Sequence, residues 1–323
     1  MKILITGGAG FIGSHLADRL VEMGEEVFAI DDLSTGTLKN IQQLQEHPRF
    51  HLVVDTILHE AVMNELVFKC DEVYHMAAVV GVKQIMNRPV ETLETNVKGT
   101  ETVLRLANRH KRKVLIASTS EVYGKLMNGD STCGLSEATD RLMGATSKRR
   151  WAYACSKTLD EFLALAYFDE KKLPVIIARL FNTVGPRQTG QYGMVVPNFV
   201  QKALIGKPII VHGDGSQSRS FTHVSDVVEA LIRLMAETQA VGQVINVGGC
   251  EEVTIADLAL LVKEMTGSQS KIDYIPYEKV YGPGFEDMQR RCPDISKLRE
   301  LIGFEPKVDL CGIIQSVIEY YKK

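Results

Sequence analysis

The stretch Gly7-Gly8-Ala9-Gly10-Phe11-Ile12-Gly13 follows an apolar run over Lys2–Thr6 and opens a helical pattern over Phe11–Met23. Glycine at positions 7, 10 and 13 permits a tight turn and lets a pyrophosphate group approach the backbone and the helix N-terminus. Many strand–helix turns carry a glycine, so the glycines alone would be weak support. Because they lie inside a strand–helix–strand unit, they predict a dinucleotide-binding turn.

Apolar, β-branched runs alternate with helical patterns through the first half of the chain. We expect strands at Lys2–Thr6, Glu26–Ile30, Phe50–Val54, Glu72–His75, Val114–Ser118 and Val175–Leu180. We expect helices at Phe11–Met23, Ile57–Phe68, Glu91–Asn108 and Trp151–Phe168. Strands that are apolar throughout and separated by helices are typical of a parallel sheet covered on both faces. The sequence therefore predicts an α/β fold with a doubly wound parallel Rossmann sheet.

The regular alternation of predicted strands and helices ends after Phe181. Turn-forming stretches such as Gly213-Asp214-Gly215-Ser216 separate short elements there. The helical pattern Val227–Ala236 and the run Val244–Val247 predict a helix–strand pair, near residues 225–248, that returns to the main sheet. We expect a cofactor-binding Rossmann domain over residues 1–180 and a smaller, mixed α/β region for the substrate over residues 181–323.

Composition and charge exclude several classes of protein. The 323 residues are 45% hydrophobic and 24% charged with a net charge of −3, the balance of an ordinary globular enzyme. The nearest approach to a basic run, Lys148-Arg149-Arg150, is too short to follow a nucleic-acid backbone, so no nucleic-acid partner is expected. No apolar stretch approaches the ~20 residues of a membrane span, and glycines interrupt the N-terminal apolar run too early for a signal peptide. We therefore expect no membrane partner and a cytoplasmic location.

Neither the cysteines nor the histidines form a recognisable metal site. The six cysteines are scattered without a Cys-x-x-Cys pair and are typical of free thiols in a reducing compartment. His15 and Asp18 share a face of the first helix, while His212 and His223 are isolated. A metal site would need more ligands than these, so no metal is expected.

Two acidic residues at the end of the second predicted strand bear on the choice of cofactor. Asp31-Asp32 begins 18 residues after Gly13. A carboxylate at this place accepts hydrogen bonds from the adenosine ribose hydroxyls and repels a 2′-phosphate. No arginine follows in Asp32–Leu38 to bind such a phosphate, so we expect NAD rather than NADP. The alternative is an acidic turn residue that binds no ligand.

Tyr153 and Lys157 are candidate catalytic residues. They are four positions apart on a predicted helix and so share one face. A lysine beside a phenol stabilises the phenolate and makes the tyrosine usable as a general base near neutral pH. The pattern is frequent by chance, but Ser118-Thr119-Ser120-Glu121-Val122-Tyr123-Gly124, at the end of a buried strand, supplies hydroxyls where the site should form.

Together with three further motifs, these features resemble the extended short-chain dehydrogenases/reductases that act on nucleotide-diphosphate sugars. The further motifs are His75-Met76-Ala77-Ala78, Thr95-Asn96-Val97-Lys98-Gly99-Thr100 and Arg179-Leu180-Phe181-Asn182-Thr183-Val184-Gly185-Pro186-Arg187. The resemblance covers essentially the whole chain and implies an epimerase, a dehydratase or a decarboxylase. It also implies a homodimer formed through the helices Glu91–Asn108 and Trp151–Phe168.

The resemblance further implies a role for each site residue. The residues expected to bind NAD are Gly7, Gly10, Phe11, Ile12, Gly13, Asp31, Asp32, Asp55, Thr56, Ala77, Ala78, Asn96, Tyr153 and Lys157. In the first step, Tyr153 takes the proton from the hydroxyl at sugar carbon 4 while NAD takes the hydride, and Thr119 orients that hydroxyl.

Glu121 and the segment around Arg219 favour a decarboxylase among the three reactions. An epimerase needs no further acid or base, whereas a dehydratase or a decarboxylase moves another proton and can use the Glu121 carboxylate. The alternative is that Glu121 merely pairs with a neighbouring cation. The segment Gly213–Phe221 is similar to that of UDP-glucuronate decarboxylases, and the planar fork of Arg219 suits a diphosphate or a sugar carboxylate. Ser120, Glu121 and Arg219 are therefore the further catalytic candidates.

Two more segments resemble a decarboxylase, the one that begins lipid A aminoarabinose synthesis. They are Arg150-Trp151-x-Tyr153 and Tyr281-Gly282-x-Gly284-Phe285-x-Asp287. The arginine with which many epimerases bind the diphosphate near Gly284 is absent, which leaves Arg187, Arg219 and Arg290 or Arg291 as substitutes. The residues expected to bind the substrate are Val82, Lys83, Asn182, Arg187, Val196, Gln217, Arg219, Tyr281 and Arg290.

The favoured function is NAD-dependent decarboxylation of UDP-glucuronic acid through a 4-keto intermediate, which gives UDP-xylose. The first alternative is a UDP-sugar 4-epimerase, whose cofactor and catalytic residues would be identical. The second is a nucleotide-sugar dehydratase, and the third is an NAD-sensing scaffold without activity. A scaffold has no need to keep both Tyr153 and Lys157.

Overall fold

The computed structural model describes residues 1–81, 88–125, 134–190, 194–281 and 288–322. The strands in these ranges are β1 Lys2–Thr6, β2 Glu26–Asp31, β3 Phe50–Val54, β4 Glu72–His75, β5 Lys113–Thr119, β6 Val175–Leu180, β7 Thr183–Val184, β8 Ile209–His212, β9 Ser218–Ser220, β10 Thr222–His223, β11 Gln243–Val247, β12 Glu252–Thr254, β13 Ile272–Ile275 and β14 Arg290–Arg291. The α-helices are α1 Phe11–Glu22, α2 Glu60–Lys69, α3 Pro89–His110, α4 Ala152–Lys171, α5 Val195–Leu204, α6 Val224–Ala236, α7 Ile255–Thr266, α8 Tyr277–Tyr281, α9 Ser296–Ile302 and α10 Leu310–Lys322.

A seven-stranded sheet forms the centre of the molecule, in the order β11-β6-β5-β4-β1-β2-β3. All neighbouring strands in it are parallel. The strand order reverses at β1, between β2 on one side and β4 on the other, and this reversal places a crevice at the carboxyl ends of the strands. The predicted doubly wound Rossmann sheet is confirmed.

Helices cover both faces of the sheet, as the apolar strands require. On one face the buried residues of α1, α6 and α9 pack against β1, β2 and β11. On the other face α2, α3 and α4 pack against β4, β5 and β6. Residues such as Leu4, Ile5, Ile116 and Ile177 are completely buried because neither face of the sheet reaches solvent.

The later part of the chain builds smaller sheets and a third apolar core. The pairs β10–β7 and β13–β8 and the three-stranded set β12-β9-β14 lie outside the main sheet. Buried residues of α5, α7 and α10 pack together with β8 in the third core. β11, by contrast, follows α6 and joins the main sheet beside β6. The division into a cofactor domain and a substrate region stays a prediction.

Among the residues that the structure describes, no helix has the length and apolar character to cross a lipid bilayer. The same residues include no cluster of three histidine, cysteine, aspartate or glutamate side chains that could hold a metal ion.

Candidate active site

A cavity of about 720 Å³ lies at the carboxyl edge of the main sheet. Its walls come from the ends of β1, β2, β4, β5 and β6, and it continues past α5 to β8 and β9. Ligands bind at this edge in open α/β sheets because the loops there diverge on either side of the strand reversal. The cavity is therefore the candidate active site.

The glycine-rich turn between β1 and α1 forms one end of the cavity, which Gly7, Gly10 and Gly13 all line. A side chain at Gly13 would place its Cβ 2.1 Å from the carbonyl oxygen of Gly7, so only glycine fits there. Gly7 has a φ of +70°, a conformation that other residues rarely adopt. The first turn of α1 therefore reaches the cavity unobstructed, and this cradle fits a diphosphate group at a helix N-terminus.

Asp31, at the end of β2, lines the cavity next to this cradle. Its carboxylate accepts hydrogen bonds from the backbone N–H of Ala9 and of Leu33, both at 2.9 Å. Burial raises the pKa of Asp31, and these backbone hydrogen bonds oppose the rise. Asp32 and Asp55 also line the cavity, so a group bound here meets three carboxylates and no phosphate-binding arginine among the lining residues of this end.

The loop after β4 lies opposite the glycine-rich turn, and Ala77 and Ala78 line the cavity from it. Asn96 of α3 fixes this loop, because its side chain accepts a hydrogen bond from the Val79 N–H at 2.8 Å and donates one to the Val79 carbonyl at 3.3 Å. Thr56 is not among the described residues that line the cavity, and its backbone N–H donates a hydrogen bond to the Asp55 carboxylate at 2.7 Å. Asn96 and Thr56 therefore support the cavity wall in this structure.

Tyr153 and Thr119 meet in the middle of the cavity. Thr119 ends β5, Tyr153 lies in the first turn of α4, and both line the cavity with Ser120. Burial and the negative charge of Glu121 raise the pKa of the Tyr153 phenol, while a hydrogen bond with Thr119 lowers it by less. The spacing of Tyr153 and Lys157 predicts a lowered pKa for this phenol, and among the described residues that prediction is wrong, because burial and Glu121 outweigh the hydrogen bond with Thr119.

Lys157 is enclosed below Tyr153 on the same helix. Its side chain is only 2% exposed, and its Nζ lies 2.9 Å from Oδ2 of Asp160, whose side chain is completely buried. The ammonium group is therefore paired with a carboxylate that the sequence argument did not consider.

Glu121 is held between two arginines at the cavity wall. Arg150 Nη1 lies 2.7 Å from Glu121 Oε2, and Arg291 Nη1 donates a hydrogen bond to Glu121 Oε1. Arg291 also donates from Nη2 to Asn182 Oδ1 at 2.7 Å. Burial alone would raise the pKa of Glu121, but the two guanidinium groups outweigh it and lower the pKa to about 2. Glu121 is thus a carboxylate near neutral pH, and it holds two cations at the cavity wall.

The far end of the cavity lies between α5 and β8–β9. Three of the predicted substrate-binding residues line it, namely Val196, Gln217 and Arg219. Arg219 is 5% exposed and donates from Nη1 to the carbonyl of Ser218 at 2.7 Å. His212 and Tyr277 line the same end, next to apolar residues of α5, and they were not expected from the sequence. The mixture of flat rings, apolar surface and a buried arginine suits a nucleotide.

Two predicted arginines lie elsewhere. Arg187, with a φ of 68°, points to α1 and pairs with Asp18 at 2.6 Å. Arg290 donates a hydrogen bond from Nε to the Glu252 carboxylate at 2.9 Å. Neighbouring residues of a strand point to opposite sides, so Arg290 does not face the same way as Arg291. Neither residue is among those that line the cavity in the described chain.

Three predicted substrate contacts lie outside what the structure describes. Val82 and Lys83 belong to residues 82–87, and the side chain of Tyr281 is likewise beyond the described atoms. The motif over residues 282–287 falls outside as well. Their roles stay predictions.

Arg150 is a functional candidate that was not selected from the sequence, and Arg291 was named there only as one of several possible substitutes for a diphosphate-binding arginine. Arg150 was part of a quoted motif, but nothing in the sequence shows that both guanidinium groups reach the Glu121 carboxylate. The sequence feature that could have indicated them is the presence of two adjacent arginines, in Arg149-Arg150 and in Arg290-Arg291. In each pair, the second arginine lines the cavity.

Comparison with protein families places the chain among nucleotide-sugar enzymes. The family model described as GDP-mannose 4,6 dehydratase matches residues 4–317. The UDP-N-acetyl-alpha-D-glucosaminuronate decarboxylase of Bacillus cytotoxicus is 45% identical over 323 residues, which cover all of this chain and 98% of the relative. UDP-glucuronic acid decarboxylase 1 of Danio rerio is 36% identical, over all of this chain and 73% of the relative.

Solved structures with a similar fold have different activities. UDP-glucuronic acid 4-epimerase from Bacillus cereus, in complex with UDP-glucuronic acid and NAD, is 29% identical with a TM-score of 0.89, over all of this chain and 99% of that one. The dTDP-glucose 4,6-dehydratase DesIV from Streptomyces venezuelae, with NAD bound, is 28% identical with a TM-score of 0.88, over all of this chain and 97% of that one.

Proposed function

The chain belongs to the GDP-mannose dehydratase-like family of extended short-chain dehydrogenases/reductases, and on that premise we propose that it decarboxylates a UDP-activated hexuronic acid. Its cofactor is NAD, which the similar solved structures contain. The glycine-rich cradle and Asp31 fit the diphosphate and the adenosine ribose of NAD. When bound, NAD accepts the hydride from sugar carbon 4 and can return it at the end of the cycle.

The observation that carries the proposal is the cluster of Glu121, Arg150 and Arg291. Its two guanidinium groups line the same cavity as Tyr153 and Thr119. A uronic acid has its carboxylate one carbon beyond the ring, close to the hydroxyl that Tyr153 would deprotonate. Two arginines can bind that carboxylate, whereas the hydroxymethyl group of UDP-glucose offers them no charge.

The proposed reaction starts at the hydroxyl of sugar carbon 4. Tyr153 takes the hydroxyl proton and Thr119 holds the oxygen; with the hydride of carbon 4 transferred to the bound NAD, carbon 4 would become a ketone. The sugar is then a β-keto acid, so the bond between carbons 5 and 6 breaks, carbon dioxide leaves, and the electron pair forms an enolate. Tyr153 and Thr119 stabilise the enolate oxygen by hydrogen bonds, and a proton is added to carbon 5 in place of the lost carboxylate.

In this proposal Glu121 acts on the arginines rather than on the sugar. Its pKa of about 2 keeps it ionised, so it cannot donate a proton near neutral pH. It instead positions Arg150 and Arg291, while Ser120 lies next to it on the cavity wall. Arg219, at the nucleotide end, is assigned to the diphosphate.

UDP-glucuronic acid is the substrate that the sequence favours, with UDP-xylose as product. The relative that is 45% identical acts, by its name, on the 2-acetamido analogue, and this favours that acid as a second candidate. The two acids differ at carbon 2, away from the proposed chemistry, so the same catalytic residues serve both.

Proton NMR of the protein incubated with NAD and each acid in turn tests the proposal. We expect loss of the six-carbon acid and a five-carbon UDP-sugar, or its 4-keto precursor, from one or both acids. Conversion of UDP-glucuronic acid to UDP-galacturonic acid without loss of carbon dioxide would instead identify an epimerase. No reaction of either acid would overturn the proposal.

We further propose that the protein is a homodimer through α3 and α4. These helices pack side by side and leave large apolar side chains in solvent, among them Leu93 at 38%, Leu159 at 50% and Phe162 at 63% exposed. Large apolar side chains exposed on two packed helices favour an interaction site. The cytoplasmic location expected from the sequence stays a prediction.

A further inference from the structure

Two successive carboxylates, Asp160 and Glu161, are buried on α4, at 0% and 1% exposed. The Glu161 carboxylate accepts hydrogen bonds from three surrounding side chains. Arg179 donates to it from Nε and Nη2, both at 2.9 Å, and Arg141 Nη2 donates at 2.6 Å. Ser118 adds a fourth hydrogen bond at 2.5 Å. Glu161 therefore has a structural explanation.

Asp160 has no such set of partners. The Lys157 ammonium lies 2.9 Å from Asp160 Oδ2, and neither carboxylate oxygen accepts a well-oriented hydrogen bond from the described residues. Burial of a carboxylate costs free energy unless an opposite charge compensates it. The ion pair with Lys157 therefore offsets the cost of burying Asp160 in the core. The Asp160 carboxylate likewise offsets the cost of burying the Lys157 ammonium group.

Tyr153, Lys157 and Asp160 form one stripe along α4. They lie at positions i, i+4 and i+7, so each is about one helical turn from the next. Asp160 is close enough that its charge contributes to the raised pKa of Tyr153. The pair is therefore part of the electrostatic environment of the proposed base.

Other titratable groups face this stripe from two further elements. His75 of β4 is completely buried, and burial together with the Lys157 charge lowers its pKa to about 3, so it is neutral. Glu121, in the turn after β5, is a carboxylate held by Arg150 and Arg291. Neither of them supplies Lys157 with a counter-charge, because His75 is neutral and Glu121 is already paired.

We propose that Asp160 is a positioning residue that keeps Lys157 charged and holds its ammonium group on the Tyr153 stripe. The inference rests on the proposed function, in which Tyr153 and Lys157 act together. Burial without a partner favours the uncharged form of a lysine, and an adjacent carboxylate restores the cation. Through Lys157, Asp160 thus keeps a positive charge available for the phenolate of Tyr153.

The first test observes Lys157 directly. The holoenzyme with NAD is labelled with 13Cε-lysine, and the Lys157 signal is assigned by its loss in Lys157→Met. In Asp160→Asn we expect the ratio of uncharged to charged Lys157 at a given pH to rise at least about tenfold, while Asp160→Glu stays near the native ratio. An unchanged ratio in Asp160→Asn would overturn the proposal.

The second test measures stability and does not need an active variant. Unfolding is followed for Lys157→Met, Asp160→Asn and the double variant. Because Lys157→Met leaves a buried carboxylate unpaired, the double variant should be more stable than Lys157→Met. Purely additive losses would contradict the pairing.

A catalytic readout separates a positioning role from a structural one. As the pH is raised, turnover of Asp160→Asn should begin to decline at a lower pH than turnover of the native protein. Asp160→Glu should restore the native pH profile. The NMR and stability tests need no sugar, so their outcome is independent of whether the protein releases carbon dioxide. If they succeed and decarboxylation fails, the proposed function alone is wrong.

Discussion

Arg291 donates a hydrogen bond to Glu121 although the two residues lie 170 positions apart in the chain. The contact joins β14, which pairs with β9, to the turn that follows β5 in the main sheet. Since Arg291 also binds Asn182 at 2.7 Å, its guanidinium group is fixed from two sides. The substrate-side strands thereby place a cation in the cavity that the proposed catalytic tyrosine also lines.

Replacement of Arg291 by lysine should lower kcat for decarboxylation about 100-fold, the loss typical when one charge-stabilising donor is removed. Lysine keeps the charge but loses the planar fork that reaches Glu121 and Asn182 together. Release of carbon dioxide from UDP-glucuronic acid and from its 2-acetamido analogue measures the effect. Arg290→Lys is the matched control, because Arg290 binds Glu252 and does not line the described cavity. Equal losses in both variants would remove Arg291 from the site.

The stability conferred by Glu121 should depend on pH. Arg150 and Arg291 lower its pKa from 4.5 to about 2, so the folded protein favours the carboxylate. This contribution is complete above pH 4.5 and is lost as the pH falls toward 2. Glu121→Gln should lower the free energy of unfolding by about 3 kcal/mol at pH 7, a cost typical of removing one partner of a buried pair.

The difference between the native protein and Glu121→Gln should therefore shrink at low pH. Urea unfolding of both proteins at pH 7, pH 4 and pH 3 gives the comparison. A difference that stays constant over this range would mean that the guanidinium groups do not hold the carboxylate as described.

Local patterns in the sequence were sufficient for the main sheet. Runs such as Val175–Leu180 are apolar throughout because they are covered on both faces, and the observed strand has the predicted bounds. The glycine-rich turn was equally readable, since Gly13 leaves no room for a side chain beside the Gly7 carbonyl. These features depend on neighbours in the chain.

Long-range pairing decided what the sequence could not. Whether Arg290 or Arg291 faces the cavity depends on the register of β14 against β9, which a two-residue strand does not reveal. Arg187 looked available for a diphosphate, but the fold brings Asp18 of α1 within 2.6 Å of it. Charged side chains take the partner that the tertiary structure offers, so their roles were the least predictable part of the site.

Replacement of Tyr153 by phenylalanine should lower kcat about 1000-fold, within the range expected for loss of a general base. The fold should be unaffected, because the ring remains and only the hydroxyl is lost. Turnover by NMR, together with NAD affinity and the melting temperature, checks both statements. A variant that keeps native turnover would make Tyr153 dispensable, and a native protein without turnover would favour the NAD-sensing scaffold.

Selectivity between NAD and NADP should depend on the acidic end of β2. NADP should bind at least about 100-fold more weakly than NAD, since its 2′-phosphate would approach Asp31 and Asp32, which both line the cavity. Isothermal titration with the two cofactors measures the ratio. Asp32→Ser should narrow the ratio, because Asp32 carries one of the charges, and among the described residues its side chain supports the loop by accepting a hydrogen bond from the Ser34 N–H. Tighter binding of NADP by the native protein would contradict the assignment.

The dimer should dissociate when charge is placed on the exposed stripe of α4. Leu159 and Phe162 lie on one face of that helix and are 50% and 63% exposed. Burial of two glutamates at these positions would require their desolvation, so Leu159→Glu/Phe162→Glu should be a monomer where the native protein is a dimer. Light scattering after gel filtration at micromolar concentration gives the mass of each. Leu260→Glu is the control, because Leu260 is 56% exposed on α7, outside this face, and its replacement should leave the dimer intact. A native protein that is already a monomer would refute the interface.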